Sequence, residues 1–174
     1  MKIRIANSAG FCYGVRRAVE LAEECAARSE RPCVMLGSII HNQDVIHRLE
    51  QQGLRVVERP EDVPEGSCVI IRSHGESRAV YQALEGRNVQ ILDATCPNVK
   101  RIHEIVAQAE AQGRQPVIVG TPDHPEVTAI AGWCTHAVVV SGEEDLERWL
   151  SQDPKRRDLP LTFVSQTTST RKIW

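Results

Sequence analysis

The chain has 174 residues, a formal net charge of −2, 41% hydrophobic residues and 25% charged residues. These values are typical of globular proteins with one large domain or two small ones. No stretch reaches the roughly 20 apolar residues of a membrane span, and no apolar signal segment follows Met1, so the sequence predicts a cytoplasmic protein without a membrane partner. Aromatic residues make up only 4% and the basic residues form no long run, which argues against nucleic acid as a partner.

Short β-branched segments alternate with amphipathic helical segments along the chain. In chain order, the predicted strands are 3–6, 33–36, 54–57, 68–72, 89–92, 116–119, 137–140 and 161–164. The predicted helices are 14–28, 42–52, 78–84 and 98–112. Because apolar strands that alternate with helices are typical of parallel sheets covered by helices, the sequence predicts an α/β fold.

Reactive polar residues follow several of the predicted strands, at the point where each strand ends. In open α/β sheets, ligands bind at the carboxyl ends of the strands because loops and helix N-termini converge there. The order of strand, polar loop and helix also resembles a structural repeat, so we expect these loops to meet around a shared centre. The residues in these loops are Cys12, His41, His74, Cys96, His124, Glu126 and Thr167.

The six cysteines fall into two groups. Cys12 and Cys96 each lie in a loop before a predicted helix, where the partial positive charge of the helix N-terminus favours a thiolate that can bind a metal or act as a nucleophile. Asn98 is predicted to cap the helix after Cys96. The other four are predicted to be inert buried thiols, since a reducing compartment keeps thiols reduced and no CxxC pair is present. These four are Cys25, Cys33, Cys68 and Cys134.

Three histidines and one glutamate complete the candidate site. His41, His74 and His124 occupy strand-end loops, and together they predict a polar, cationic pocket for an anion such as a phosphate. Glu126 lies close to His124 in sequence and could act as a general acid or base if it is buried. A glutamate at a helix N-terminus is also favoured by the helix dipole alone. The histidines predicted to have surface or packing roles are His47, His103 and His136.

These loops form an ordered set of motifs along the whole chain. The motifs are Ala6-Asn7, GFCYGVRRAV at 10–19, His41-Asn42, Ser73-His74-Gly75, DATCPNV at 93–99, His103, HPEV at 124–127, Gly132-Trp133 and Ser165-Gln166-Thr167-Thr168. In this order and spacing, the chain resembles the 4-hydroxy-3-methylbut-2-enyl diphosphate reductase family, which acts in the methylerythritol phosphate pathway of isoprenoid biosynthesis. Each motif alone is weak, but the ordered set is highly specific.

The resemblance implies a fold and a cofactor. The fold is one of repeated three-layer α/β lobes with parallel sheets around a central cluster site. The cofactor is a [4Fe–4S] cluster held by three cysteines, of which Cys12 and Cys96 match two. Thiolate ligation of this kind is general for iron–sulfur clusters.

The resemblance also implies roles for the remaining site residues. His41, His74 and His124 match residues around the diphosphate and the hydroxymethyl group of the substrate. Glu126 matches the proton donor, and Thr167 matches a neighbouring residue that orients the substrate and proton delivery. The implied reaction is the reductive dehydroxylation of an allylic diphosphate to isopentenyl and dimethylallyl diphosphate, with ferredoxin or flavodoxin as the electron donor.

Family members have about three lobes by this resemblance, and the sequence is expected to hold two. Residues 1–96 are predicted to form the first lobe and residues 97–174 the second, which is incomplete at its C-terminal end. The third lobe, with the third cluster cysteine and a Ser-x-Asn segment for the diphosphate, is expected to be missing, and residues 170–174 are predicted to begin a helix. We therefore expect a truncated chain that alone binds the cluster weakly or not at all and has negligible turnover.

Two other classes of function stay open at the level of sequence. A zinc-dependent hydrolase or phosphatase would place cysteine, histidine and glutamate around a tetrahedral metal, although these residues lack short local spacings and no HExxH motif is present. An inactive two-lobe remnant would expose apolar surface on its second lobe. Colour separates a brown cluster protein from a colourless zinc protein.

Overall fold

Seven strands form two parallel sheets in the computed structural model, which describes residues 2–6 and 9–169. The helices and strands in chain order are α1 Tyr13–Arg28, β1 Cys33–Leu36, α2 Gln43–Gln51, β2 Arg55–Val57, β3 Cys68–Ile71, α3 Arg78–Glu85, β4 Gln90–Asp93, α4 Pro97–Ala111, β5 Gln115–Val119, α5 Pro125–Ala131, β6 Val138–Val140, α6 Glu143–Ser151 and β7 Leu161–Ser165. Two short 3₁₀ turns, Pro60–Asp62 and Pro154–Asp158, lie in the connections.

The first sheet has the strand order β2-β1-β3-β4, and all neighbouring strands are parallel. Because successive side chains of a strand point to opposite faces, Met35 and Ile70 belong to the core under α1 and α2, whereas Leu36 and Ile71 pack with Leu84 of α3. Both faces of the sheet are therefore covered, which explains why β1 and β3 are buried at every position. The helices α1 and α2, the sheet, and the helix α3 therefore form the three layers of this lobe.

The second sheet repeats this architecture with the strand order β6-β5-β7, again all parallel. Ile118 and Val164 pack with the apolar face of α4 and α5, and Val117 and Val119 pack on the other face with Leu146 of α6. This second three-layer lobe confirms the predicted repetition of α/β lobes. The predicted boundary between residues 96 and 97 stays a prediction.

The two lobes meet at a short seam formed by residues 76–78 and 132–133. The indole Nε1 of Trp133 donates a hydrogen bond to the carbonyl oxygen of Glu76 at 2.9 Å. The backbone N–H of Arg78 donates to the carbonyl oxygen of Gly132 at 3.2 Å. A Cβ added at Gly132 would overlap the side chain of Ser77, so this close approach requires glycine. We call these contacts the lobe seam.

The structure differs from the sequence-based prediction at the start of the chain. The predicted strand 3–6 is wrong: residues 2–6 form no strand, and Ile3 and Ile5 are 76% and 82% exposed. A β-branched segment needs a neighbouring strand to pair with, and composition alone does not supply one. Asn7 and the helix start predicted at residues 170–174 lie outside the described residues.

Two helices were not predicted. The helix α5 has only seven residues, and the nine residues of α6 are mostly charged or polar around Leu146, Trp149 and Leu150. Three acidic residues in the first turn of α6 were a usable signal, because the helix dipole favours anions there. Among the helices that the structure describes, none has the length and apolar content to cross a membrane.

Candidate functional site

Three histidines from both lobes meet at the carboxyl ends of the strands. His41 follows β1, His74 follows β3, and His124 is the N-cap residue of α5. The ring centroids are 4.5 Å apart for His41 and His74, 5.7 Å for His41 and His124, and 5.6 Å for His74 and His124. The structure thus brings together the three histidines singled out by the sequence; their roles in substrate binding stay predictions. We call them the histidine cluster.

The free histidine cluster is less cationic than the sequence predicted. The pKa of His74 falls from 6.5 to about 4, first because burial disfavours the imidazolium and then because His41, Arg72 and His124 repel its charge. Burial also lowers the pKa of His124, although the carboxylate of Glu126 opposes the shift. His74 is therefore neutral at neutral pH, and its Nδ1 has no hydrogen-bond partner among the described residues.

Glu126 and Thr167 form a buried pair beside this cluster. Glu126 lies in the first turn of α5 and is only 2% exposed. Its carboxylate accepts two hydrogen bonds from Thr167, one from the backbone N–H at 2.6 Å and one from Oγ1 at 2.9 Å. Two donors offset part of the cost of burying a carboxylate. The backbone N–H of Glu126 donates to Nδ1 of His124 at 3.1 Å, so the neutral imidazole carries its proton on Nε2.

Gln166, which the sequence analysis placed in a motif without giving it a role, joins the loops after β5 and β7. Oε1 of Gln166 accepts a hydrogen bond from the backbone N–H of Thr121 at 3.2 Å, and its Nε2 donates to Oγ1 of Thr168 at 2.6 Å. Gly120 makes room for this side chain, because a Cβ there would lie 3.0 Å from Oε1 of Gln166. Gln166 therefore fixes the loop that carries Thr167 against the loop that leads to His124.

Cys12 and Cys96 are the N-cap residues of α1 and α4, and neither side chain makes a capping hydrogen bond. The predicted cap at Asn98 is wrong, because α4 begins at Pro97, a residue type that suits the first helical position. A Cβ added at Gly14 would lie 2.6 Å from Sγ of Cys96, so the first turn of α1 lies directly against that sulfur. Thiols at helix N-termini, one of them in close contact with the first turn of the helix that carries the other, have the chemistry of iron–sulfur cluster ligands.

Hydrogen bonds from α1, from α4 and to the loop after β3 fix the loop that carries Cys96. The guanidinium of Arg17 donates to the carbonyl oxygens of Thr95 at 3.2 Å and Asp93 at 3.1 Å. Burial alone would raise the pKa of Asp93, but hydrogen bonds from Thr95 and the nearby Lys100 hold it below its usual value. The backbone N–H of Cys96 donates to the carbonyl oxygen of Ser73 at 2.9 Å. This last bond links the cysteine loop to the loop of the histidine cluster.

His103 is buried against Gly75, the residue that follows His74 of the histidine cluster. It is 2% exposed and its ring stacks on Trp133 with a centroid distance of 5.0 Å, so the predicted packing role is confirmed. Gly75 has a φ of +76° and lies over this ring, where a Cβ would be 2.5 Å from Cε1 of His103. Burial lowers the pKa of His103 to about 4. The Ser73-His74-Gly75 motif was the sequence signal for this close approach.

The remaining cysteines are not all inert thiols. Cys25 and Cys33 are joined by a disulfide, so the prediction that both are free thiols is wrong. The short connection between α1 and β1 turns back on itself and brings their Cα atoms to 6.7 Å, within the range for a disulfide. Cys68 is buried and free. Burial raises the pKa of Cys134 to about 11, which keeps this thiol protonated and unreactive.

The geometry does not favour a zinc hydrolase. Within residues 2–6 and 9–169, the one group of three cysteine, histidine or carboxylate ligands close enough to share an ion is Cys25, Cys33 and Cys68. The histidine cluster and Glu126 do not belong to such a group. The chemistry of imidazole and carboxyl groups suits the histidine cluster to an anion and Glu126 to proton transfer.

Comparison with known sequences gives a consistent result. A family model described as LytB protein matches residues 3–174. A relative from Caldanaerobacter subterraneus subsp. tengcongensis, named 4-hydroxy-3-methylbut-2-enyl diphosphate reductase, is 42% identical over 182 residues, which cover 100% of this chain and 60% of the relative. A protein of the same name from Clostridioides difficile is 34% identical over 175 residues. That match covers 100% of this chain and 61% of the relative. The chain therefore spans about 60% of the length of these curated relatives.

Two solved structures are similar in fold. The E-1-hydroxy-2-methyl-but-2-enyl-4-diphosphate reductase of Plasmodium falciparum has a TM-score of 0.88 at 29% identity, over 96% of this chain and 52% of that protein. An (E)-4-hydroxy-3-methyl-but-2-enyl diphosphate reductase, described as the terminal enzyme of the non-mevalonate pathway, has a TM-score of 0.81 at 38% identity. The match covers 98% of this chain and 59% of that protein.

Proposed function

Because this chain belongs to the LytB family, we propose that it supplies two cluster ligands, the anion-binding histidines and the proton donor of a 4-hydroxy-3-methylbut-2-enyl diphosphate reductase. The observation that carries the proposal is the convergence of the histidine cluster with the buried pair of Glu126 and Thr167. This convergence joins both lobes in one site, whereas a binding protein for an anion would not need a buried proton donor.

The histidine cluster binds the diphosphate of the substrate in this proposal. Nε2 of His124 is a hydrogen-bond donor in the neutral ring. Nδ1 of His74, which has no partner within residues 2–6 and 9–169, can accept or, once protonated, donate. A diphosphate brings negative charge to a site whose histidine pKa is low. The anion therefore raises that pKa, and binding takes up protons. Charge-assisted hydrogen bonds of this type are stronger than neutral ones.

Glu126 acts as the proton donor and Thr167 as its positioning partner. The proposed reaction consumes two electrons and two protons: the allylic C–O bond breaks, one proton leaves with the hydroxyl as water, and the other goes to carbon. Glu126 is placed to deliver a proton to the hydroxyl, because it is buried beside the histidine cluster and can exchange protons through Oγ1 of Thr167. The N–H of Thr167 holds the carboxylate in one orientation throughout.

Cys12 and Cys96 would hold a [4Fe–4S] cluster together with a third cysteine outside this chain. Such a cluster, when bound, supplies single electrons and an iron that can take an oxygen ligand. Gly14 leaves the room that Cys96 needs for ligation. The electrons come from a one-electron carrier of the ferredoxin or flavodoxin class.

A chimera tests the proposal. Residues 1–174 replace the matching 60% of the Caldanaerobacter relative, whose remaining part supplies the third lobe. After anaerobic reconstitution, we expect a brown protein that converts the substrate to isopentenyl and dimethylallyl diphosphate, whereas the 174-residue chain alone turns over negligibly. A folded, cluster-containing chimera without activity, measured beside the active parent, would contradict the proposal and favour an inactive remnant.

A further inference from the structure

Three cysteines from three different elements meet at the amino edge of the first sheet. Cys25 lies in the last turn of α1, while Cys33 and Cys68 are the first residues of β1 and β3 and are register partners. Their sulfur atoms all lie within 4.8 Å of one another, and all three residues are buried. Since the histidine cluster and Cys96 lie at the opposite edge, this cysteine triad does not belong to the site described above.

We propose that the reduced cysteine triad binds one thiophilic metal ion of the Zn²⁺ and Cd²⁺ type. Soft thiolates select such ions over Mg²⁺ and Ca²⁺, which prefer oxygen ligands. With Zn–S bonds of about 2.3 Å at tetrahedral angles, the sulfurs would lie about 3.8 Å apart. All three sulfurs lie within 4.8 Å of one another, and those of Cys25 and Cys33, which are bonded in the structure, need to separate by about 1–2 Å after reduction to reach this spacing.

Oxygen atoms near the triad complete the coordination shell. Oγ of Ser29 and Oε1 of Gln90 lie 3.4 Å and 3.3 Å from Sγ of Cys68. The carbonyl oxygen of Cys25 lies 3.4 Å from Sγ of Cys33. One of the two side-chain oxygens, or a water held by them, can serve as the fourth ligand, and the others remain as the outer shell that orients thiolates in metal sites.

A cavity of about 460 Å³ gives access to the triad from the protein surface. Its walls include Cys25 and Cys68, and its charged lining residues are two glutamates and two arginines: Glu24, Arg28, Glu30 and Arg31. Glu24 pairs with Arg28 at 2.7 Å at the rim. An ion can therefore approach two of the three triad cysteines, Cys25 and Cys68, through this cavity.

The disulfide and the ion are alternative occupants of the same sulfurs. Cys25 and Cys33 are disulfide-bonded in the structure, so ion binding requires the reduced form. A phosphine reductant makes this form: the disulfide takes two electrons from phosphorus and two protons, and phosphorus takes the oxygen of water. Metal binding at the triad then depends on the thiol redox state, and it requires nothing of the reductase activity.

Cobalt(II) titration of the reduced chain tests the site. In the variant C12S/C96S/C134S, only the triad cysteines remain. We expect one equivalent of Co²⁺ to give a thiolate charge-transfer absorption of the intensity of three sulfur ligands, and one equivalent of Zn²⁺ to abolish it. Cys68→Ser, which keeps the volume of the side chain, should weaken Zn²⁺ binding at least about 100-fold, since even changes in the outer shell cost 10- to 100-fold. The disulfide form should bind no ion.

A second measurement uses the unaltered chain and does not depend on a cysteine-poor variant. After reduction, Zn²⁺ should protect Cys25, Cys33 and Cys68 from alkylation, with the sites mapped by mass spectrometry, while the exposed Cys12 remains reactive. Circular dichroism confirms that each variant is folded. Absence of the thiolate absorption in a folded, reduced triad, equal binding by Cys68→Ser, or unprotected triad thiols would each overturn the proposal.

Discussion

Cysteines lie at both edges of the first lobe, and the two edges expose them to different surroundings. At the carboxyl edge, Cys12 and Cys96 precede helix N-termini, and Cys12 is exposed. At the amino edge, the triad lies at the end of α1 and the start of two strands and is buried. Helix N-termini favour anions and helix C-termini do not. The same residue type therefore lies at helix N-termini at one edge, where we propose cluster ligation, and in a buried group with a disulfide at the other.

The largest expected effect tests whether the carboxyl edge is the reactive one. Glu126→Gln in the chimera keeps the shape of the side chain but cannot deliver a proton, so we expect turnover to fall about 10²- to 10⁴-fold. Glu104→Gln is the matched control, because Glu104 is exposed and forms an ion pair with Arg101 on the surface of α4. Product formation by mass spectrometry gives the rate. Equal loss in both variants, or none in Glu126→Gln, would remove Glu126 from the mechanism.

The second effect is on the stability of the lobe that supports the histidine cluster. The folded pKa of His103 is about 4, below its ordinary 6.5, so its stabilising contribution is complete above 6.5 and is lost as the pH falls from 6.5 towards 4. The loss from this residue amounts to about 2 kcal/mol between pH 7 and pH 5.

Urea unfolding at these two pH values measures this acid sensitivity. His103→Gln should reduce the fall in the free energy of unfolding, whereas His47→Gln, on the exposed face of α2, should leave it unchanged. An unaltered pH dependence in His103→Gln would show that His103 is not the buried titrating group.

The third prediction concerns the close contact between α1 and Cys96. In Gly14→Ala the new methyl group meets Sγ at 2.6 Å, and overpacking of this kind costs about 1–3 kcal/mol, against which the better helix propensity of alanine regains up to about 1 kcal/mol. Gly86→Ala is the control, since its Cβ meets nothing closer than 3.7 Å. Urea unfolding and the alkylation rate of Cys96 are the measurements. If both variants behave alike, Gly14 is not needed to leave room for Sγ of Cys96.

The smallest effect concerns anion binding. His74→Asn removes one charge-assisted hydrogen bond, so we expect the affinity for inorganic pyrophosphate to fall about tenfold. Because binding raises a pKa that starts at about 4, the affinity of the unaltered protein should rise as the pH falls from neutral towards 4, with proton uptake. Calorimetry in two buffers of different ionisation enthalpy measures both. His136→Asn, at an exposed position, should bind normally; proton release on binding would contradict the assignment.

The histidine cluster at the carboxyl edge could be predicted from the sequence, whereas the cysteine triad at the amino edge could not. Strand-end loops are recognisable from periodicity, so His41, His74 and His124 could be placed together before any coordinates were known, and the resemblance to the reductase family is confirmed. The triad joins residues separated by up to 43 positions through β1–β3 register. A single sequence does not show which residues of two strands pair with each other. The proximity of these three cysteines, which share no motif, could therefore not be predicted.

The protonation state of the histidine cluster was a second property that could not be predicted from the sequence. Three histidines in loops indicated positive charge, but the low pKa of His74 depends on burial and on the mutual repulsion of groups from three loops. Likewise, Gln166 and Gly120 became relevant only when the loops after β5 and β7 were seen in contact. Such properties belong to the assembled site and not to any segment of it.

The lobe seam has a consequence for how such a protein can be altered, by nature or by design. Because Gly132 fits against Ser77 only without a side chain, and Trp133 reaches the backbone of Glu76, a lobe taken from a distant relative would bring a mismatched joint with it. A hybrid of two relatives should therefore take both sides of the lobe seam, residues 76–78 and 132–133, from the same parent. Exchange points before residue 76 or after residue 133 should therefore yield more folded hybrids than exchange points between these two positions.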